Sequence, residues 1–171
     1  SSATAVSQVF LNTNMAAAGG VLAAMFMSLI MTGKMDVTMA INGAIAGLVS
    51  ITADPLSPAG GTAVLVGAIG GAIVYFSIVF LENAGVDDPV GAISAHGTVG
   101  IYGVLVVSLT GGASFMGQLI GVLMIAGFTY LASLGTIYVI NKLMPIRASD
   151  AEQEAGLDIS EVGIEAYPEF K

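Results

Sequence analysis

Cysteine is absent from this chain, histidine occurs once, and only 9% of the residues are charged. Without cysteine there is no disulfide framework, no thiol chemistry and no zinc site of the usual kind. The scarcity of charge is more telling, because a soluble domain carries roughly 25% Asp, Glu, Lys and Arg. Five segments hold no charged residue at all: Val6–Met31, Val37–Ala53, Gly61–Leu81, Val90–Thr110 and Gly117–Asn141. Strict alternation of polar and apolar residues, which a lipid-facing β-barrel strand needs, is also missing. The composition therefore indicates a helical membrane protein. Paired carboxylates, a nucleophile elbow, a phosphate-binding loop and a metal-ligand cluster are not found either. These absences argue against an enzyme, a metal site or a cofactor.

What is present is apolar length. Hydrophobic residues make up 56% of 171 positions, and the mean hydropathy is +0.91. A helix needs about 20 apolar residues to cross a hydrocarbon core ~30 Å thick. The second segment, with 17, spans only with little tilt. Residues 1–145 are thus expected to form a membrane region of five spans, and residues 146–171 a cytoplasmic tail. Lys34 lies between the first two spans, and Lys142, Arg147 and Lys171 follow the fifth. With five spans these regions share one side, which the positive-inside rule makes cytoplasmic. The net charge of −8 comes largely from the tail, through Asp150, Glu152, Glu154, Asp158, Glu161, Glu165 and Glu169. It is a solvated segment rather than a field that steers nucleic acid. The first apolar stretch lacks a basic flank and is too long for a signal peptide. The Ser1-Ser2 start is expected to reflect upstream processing or a longer polypeptide.

Glycine occurs 23 times, often inside the spans. Gly43-x-x-x-Gly47, Gly67-x-x-x-Gly71 and Gly117-x-x-x-Gly121 put small residues on one helical face, where another backbone can approach closely. Asp88 reads as the N-cap of the fourth span and Pro89 as its first helical residue. In the tail, Ser149-Asp150-Ala151-Glu152 fits a capping box. Leu157, Ile159, Tyr167 and Phe170 are apolar anchors among the acids, expected to dock on the cytoplasmic face of the bundle.

The lone histidine, His96, falls within the fourth span. Entered at Asp88, that helix carries it about 12 Å along the axis, since each residue rises ~1.5 Å. Ionisable side chains at membrane depth usually line a bundle interior or a solute path. A neutral imidazole donates one hydrogen bond and accepts another, so it suits a small polar solute, a proton relay, or a neighbouring carbonyl in plain packing. Gly97, Gly100 and Gly103 leave little bulk beside it. A bis-histidine haem needs a second histidine, which the chain does not supply. Thr52 closes the second span at the outer face, either meeting an entering solute or ending a helix. Asn12, Thr13 and Asn14 are expected to bond between helices.

The stretch Asp87-Asp88-Pro89-Val90-Gly91-Ala92-Ile93-Ser94-Ala95-His96-Gly97-Thr98-Val99-Gly100 closely resembles the second histidine motif of the Amt/Mep/Rh ammonium transporters. Phe10-Leu11-Asn12-Thr13-Asn14-Met15-Ala16-Ala17-Ala18 resembles the start of that family's seventh span, and Asn42-Gly43-Ala44-Ile45-Ala46-Gly47-Leu48-Val49-Ser50-Ile51-Thr52 its eighth. The tail, from Gly156-Leu157-Asp158-Ile159-Ser160-Glu161 to Glu165-Ala166-Tyr167-Pro168-Glu169-Phe170, is similar to that of bacterial members.

The resemblance implies an all-α membrane protein whose five transmembrane helices are the second inverted repeat of an eleven-span ammonium transporter fold, assembled as a homotrimer in the bilayer. It implies a narrow hydrophobic pore in each protomer, with ammonium recruited outside and ammonia passing two histidines. His96 matches the second of these. Ile45 and Ala92 match pore-wall positions, Thr52 a residue near the outer ammonium site, and Asp88 a structural acid at the cytoplasmic start of its helix. It further implies a bacterial inner-membrane location, a cytoplasmic C-terminus, and a PII-type signalling protein as partner at the cytoplasmic face. The chain matches spans seven to eleven only, so the first histidine and the aromatic gate are outside it. On this reading the chain alone does not transport. The alternative is a half-length membrane partner, or an ammonium sensor without transport activity of its own.

Overall fold

A backbone in lipid must satisfy its own N–H and C=O groups, so uncharged runs of this length fold as helices. The computed structural model describes residues 2–165 and 167–169. Phe170 of the tail anchors and Lys171 of the basic set lie outside the described residues. All regular structure among the described residues is helical: α1 (Ser2–Thr32), α2 (Val37–Ile51), α3 (Gly60–Asn83), α4 (Val99–Thr110), α5 (Phe115–Leu143) and α6 (Asp150–Ala155). A π-helical turn, Ile93–Thr98, leads into α4, and a second, Asp158–Val162, follows α6.

Among the described residues, four helical stretches are long and apolar enough to cross a membrane: Ser2–Thr32, Gly60–Asn83, Ile93–Thr110 and Phe115–Leu143. Where sequence length predicted five spans, α2 is the exception. Its 15 residues extend about 22 Å at 1.5 Å per residue. The helix stops at Ile51 because Asp54 and Pro55 follow closely, and a residue before proline disfavours helical backbone. Asp54 instead accepts from the amides of Leu56 (3.3 Å) and Ser57 (3.1 Å), which fixes a turn. The start of α2 is equally well marked. Asp36 accepts from the amides of Thr38 (2.7 Å) and Met39 (3.2 Å) as its N-cap.

The chain divides into two compact units, residues 1–123 and 124–171. In the first, α1 lies along both α2 and α3 at backbone distance. A Cβ on Gly67 would run into the carbonyl oxygen of Ala16, so only glycine fits that crossing. Gly43 and Gly47 likewise face the backbones of Gly20 and Ala16, and Gly71 faces Gly20. Two of the three small-residue pairs read from the sequence therefore mark the α1 interfaces. The third pair is a correction. Nothing lies within 4 Å of a Cβ on Gly121, and Gly117 meets only Ser114, three residues before it. None of the residues of α5 is buried.

The core that results is built of small side chains. Ala46, Val74, Ile78, Ala95 and Val99 form one buried cluster, and Ala16, Ile51, Ala63 and Val66 another. Asn12, fully buried, donates to the carbonyls of Pro55 (2.9 Å) and Pro58 (2.7 Å) and so pins the α2–α3 loop against α1. Thr13 and Asn14 do not bond between helices as expected. Their side chains return to Val9 and Phe10, four residues back on α1.

In the second unit the capping box of α6 is formed: the Ser149 amide donates to Glu152 Oε2 (2.7 Å), and the Glu152 amide to Ser149 Oγ (3.4 Å). Leu157, Ile159 and Tyr167 are exposed.

Candidate functional site

The site is built on two helices that run in the same direction. Asn42 near the start of α2 sits beside Gly91, and Asp54 just past its end sits beside Gly111 at the end of α4. Between these ends, Val49 and Ser50 carbonyls lie about 3 Å from where a Cβ on Gly103 would be, which lets the two backbones touch.

The approach to His96 differs from the sequence expectation. Pro89 is not the first helical residue; the helical path starts at Ile93. Asp88, Pro89, Val90 and Gly91 form a turn closed by the Gly91 amide on the Asp88 carbonyl (3.0 Å). Gly91 has φ +70°, a left-handed conformation that breaks a right-handed helix. Asp88 nevertheless caps the helix across this turn. Its Oδ1 accepts from the Ile93 amide (2.9 Å), and its Oδ2 from the Ser94 amide (3.0 Å) and hydroxyl (3.1 Å). Burial pushes the Asp88 carboxyl up, but bonds from the Ile93 and Ser94 amides, the Ser94 hydroxyl and the Ala92 amide outweigh it, and the group lies below the ordinary carboxylate value. The shift of the helix start leaves His96 in the first turn of the helix rather than well along it.

His96 and Thr52 come together. Val49, Thr52 and Ala53 on one side, and His96, Gly100 and Val104 on the other, line a concavity of about 440 Å³. His96 is exposed there, and its imidazole makes no hydrogen bond among the described residues. Thr52 Oγ1 donates to the Leu48 carbonyl (2.7 Å), which commits its proton and leaves its lone pairs to accept. A Cβ on Gly100 would stand 3.8 Å from Val49 Cγ1, so the missing side chain sets the width of the groove. Ile45, half-buried beside Val49, packs on the core cluster, and Ala92 is exposed four residues before His96. Neither lines the concavity itself. Asp88 does not line it and acts through the backbone.

Asn42 is the residue that sequence reasoning missed. Its Nδ2 donates to the Thr38 carbonyl (3.1 Å), while Oδ1 is buried without a partner, facing Gly91. The signal was positional: Asn42, Ile45, Val49 and Thr52 follow the three- and four-residue spacing of a single helix face.

The model of the Ammonium Transporter Family matches residues 1–167 of the chain. The ammonium transporter Amt2 of Archaeoglobus fulgidus is 34% identical over 186 residues, covering 96% of this chain and 40% of the relative. An ammonium transporter of Bacillus subtilis is 31% identical, covering 92% of this chain and 43% of its own length. Among solved structures, a sensor Amt protein aligns with a TM-score of 0.80 at 29% identity, over 91% of this chain and 42% of that one. A mutant of Candida albicans Mep2 aligns with a TM-score of 0.74 at 24% identity, over 94% and 40%, and shares the fold. The chain thus spans about two-fifths of the relatives it matches.

Proposed function

The chain belongs to the ammonium transporter family, and from that membership we propose that it is the C-terminal part of an ammonium transporter whose solute path runs along the His96 groove. The observation that carries the proposal is the pairing of Thr52 and His96 across one concavity walled by Val49, Gly100 and Val104. Ammonium offers only N–H donors, and the Thr52 lone pairs at the outer end of α2 accept them. A charged group in hydrocarbon costs several kcal/mol, so ammonium gives its proton to water at the mouth of the groove before the apolar wall is reached. Ammonia then has N–H donors and one lone pair, and an imidazole, with one acceptor and one donor nitrogen, is suited to answer both.

In this reading the five apolar helices of the chain form the second of two inverted five-span repeats in an eleven-span, multi-pass protein of a bacterial inner membrane. A C-terminal tail in the cytoplasm, a homotrimeric assembly and a PII-type regulator complete the proposal. The coverage of about two-fifths of each relative is what this arrangement requires.

The test is His96→Ala in the full-length transporter, followed by ammonium flux and current in vesicles. A fall of at least tenfold, or a changed ratio of charge to ammonium moved, is expected. Unchanged flux, current and selectivity would remove His96 from the path.

A further inference from the structure

We infer that the π-helical turn Ile93–Thr98 is a register device that brings His96 into line with the groove, and that Asp88, Ser94 and Thr98 are positioning residues for its imidazole. The observation is a period of four. Gly91, Ala95, Val99, Gly103 and Val107 are all buried. On the next positions along the same spacing, His96, Gly100 and Val104 line the concavity, and Ala92 is exposed below them.

An α-helix cannot keep such a face. Each residue advances ~100°, so residues four apart drift by ~40°. From Ala95 to Val107, and likewise from Ala92 to Val104, the drift would reach ~120°. The lower residues would point away from both the core and the groove. A π-helical turn bonds five residues apart, as the Val99 amide does on the Ser94 carbonyl. It takes up about one extra residue and removes ~100° of phase. The drift falls to ~20° on both the buried and the groove side, well inside the width of the apolar stripe a helix buries.

Both ends of the turn are pinned. Upstream, the Asp88 carboxylate holds the Ile93 and Ser94 amides and the Ser94 hydroxyl. Downstream, Thr98 Oγ1 bonds Ser77 Oγ on α3 (2.9 Å), and Gly103 is seated on the α2 backbone. The length between these anchors admits the π turn and keeps the imidazole on the groove side. That His96 meets a solute rests on the function proposed above; its register does not.

The absence of native cysteine allows a direct test by paired substitution in the membrane-embedded chain, with a protease site placed in the 84–87 loop. Mercury(II) or oxidation links the pairs, and linkage is read as fragments that stay joined after cleavage. Val49→Cys with Gly100→Cys is the positive control. In the π register, Ile45→Cys with Ala92→Cys is expected to link at least fivefold more than Ile45→Cys with Ile93→Cys. In an uninterrupted α-helix Ile93, seven residues before Gly100, would take the groove face, and the ranking reverses. Equal or reversed linkage overturns the inference. Deleting Gly97 lets the turn close as α-helix. Linkage of Val49→Cys with His96→Cys should then drop at least fivefold while the Gly100 control persists; retention of both also overturns it. If the deletion abolishes both links through misfolding, the comparison of Ala92 with Ile93, made at native length, still decides. A confirmed register with unaltered flux in His96→Ala would sink the transport role alone.

Discussion

Gly91 carries two constraints at once. Its φ of +70° disfavours any side chain, and a Cβ would stand 2.7 Å from Asn42 Oδ1. A residue held in left-handed backbone costs on the order of 1–3 kcal/mol. Gly91→Ala should therefore lower the thermal midpoint in detergent by several degrees, at roughly 2–4 °C per kcal/mol for a chain of this size. Asn42→Ala removes the obstructing amide but not the backbone cost, so the double variant should recover only part of the loss. Full recovery would assign the effect to the contact alone, and an unchanged midpoint for Gly91→Ala would remove both constraints. Asp88 makes a pH-dependent contribution. Its carboxyl lies below the ordinary value of 3.8 in the folded chain, so the stability it supplies is present above that value and lost as pH falls through the lower, folded one. The midpoint difference between the native chain and Asp88→Asn should be constant near pH 6 and shrink below pH 4. Asp36 and Asp54 are depressed in the same direction, Asp36 chiefly by the Thr38 hydroxyl and Asp54 chiefly by the Ser57 hydroxyl. Only the difference between the two chains isolates Asp88. A difference that persists unchanged to pH 3 would mean that the charge is not what holds the helix start.

Between elements, glycine pairs of identical spacing have different fates. Gly67 touches the Ala16 carbonyl across the α1–α3 crossing, whereas a Cβ on Gly121 of α5 meets nothing. Gly67→Ala forces the two backbones apart, an overpacking that costs about 1–3 kcal/mol or more. Gly121→Ala lies in an open helix surface, where alanine gains up to ~1 kcal/mol in helix propensity. Unfolding of the isolated chain should rank them with Gly67→Ala well below the native chain and Gly121→Ala at or above it. A Gly121→Ala loss as large as that of Gly67→Ala would place a neighbour on α5. The contrast also shows what the sequence could express. A pair of small residues states that a backbone can come close; it does not say which one does. The helices themselves were legible because charge-free runs leave no other solution in lipid. The start of the fourth span was not, since Asp88 and Pro89 have the chemistry of a cap and a first turn whether the helix starts at once or, through a left-handed Gly91, at Ile93. His96 and Thr52 were legible as polar groups in apolar runs and through the family motif. Asn42 was hidden because asparagine near a helix start is ordinary; only its partnerless buried oxygen marks it. The period of four from Gly91 to Val107 was in the sequence all along, and it reads as a π turn only when the buried and groove faces are seen together.

For the whole molecule, what matters is that the groove is open. α2 and α4 supply Val49, Thr52, His96, Gly100 and Val104, yet His96 and Thr52 are exposed. On the function proposed above, the path has to be enclosed by protein, because an imidazole facing hydrocarbon presents polar nitrogens with no partner, at a cost of some kcal/mol. An inverted-repeat transporter encloses such a path between its halves. The chain accounts for about two-fifths of its relatives' length, and on the function proposed above the remainder supplies the facing half. Vesicles that contain this chain alone should therefore release an imposed ammonium gradient no faster than empty vesicles, as followed by the internal pH, while the full-length protein dissipates it at least tenfold faster. Addition of a separately produced first half should restore the faster rate if the two walls assemble in the bilayer. Ammonium-specific flux through the chain alone would mean that copies of it close the groove among themselves. The two-repeat path would then give way to one built from a single repeat.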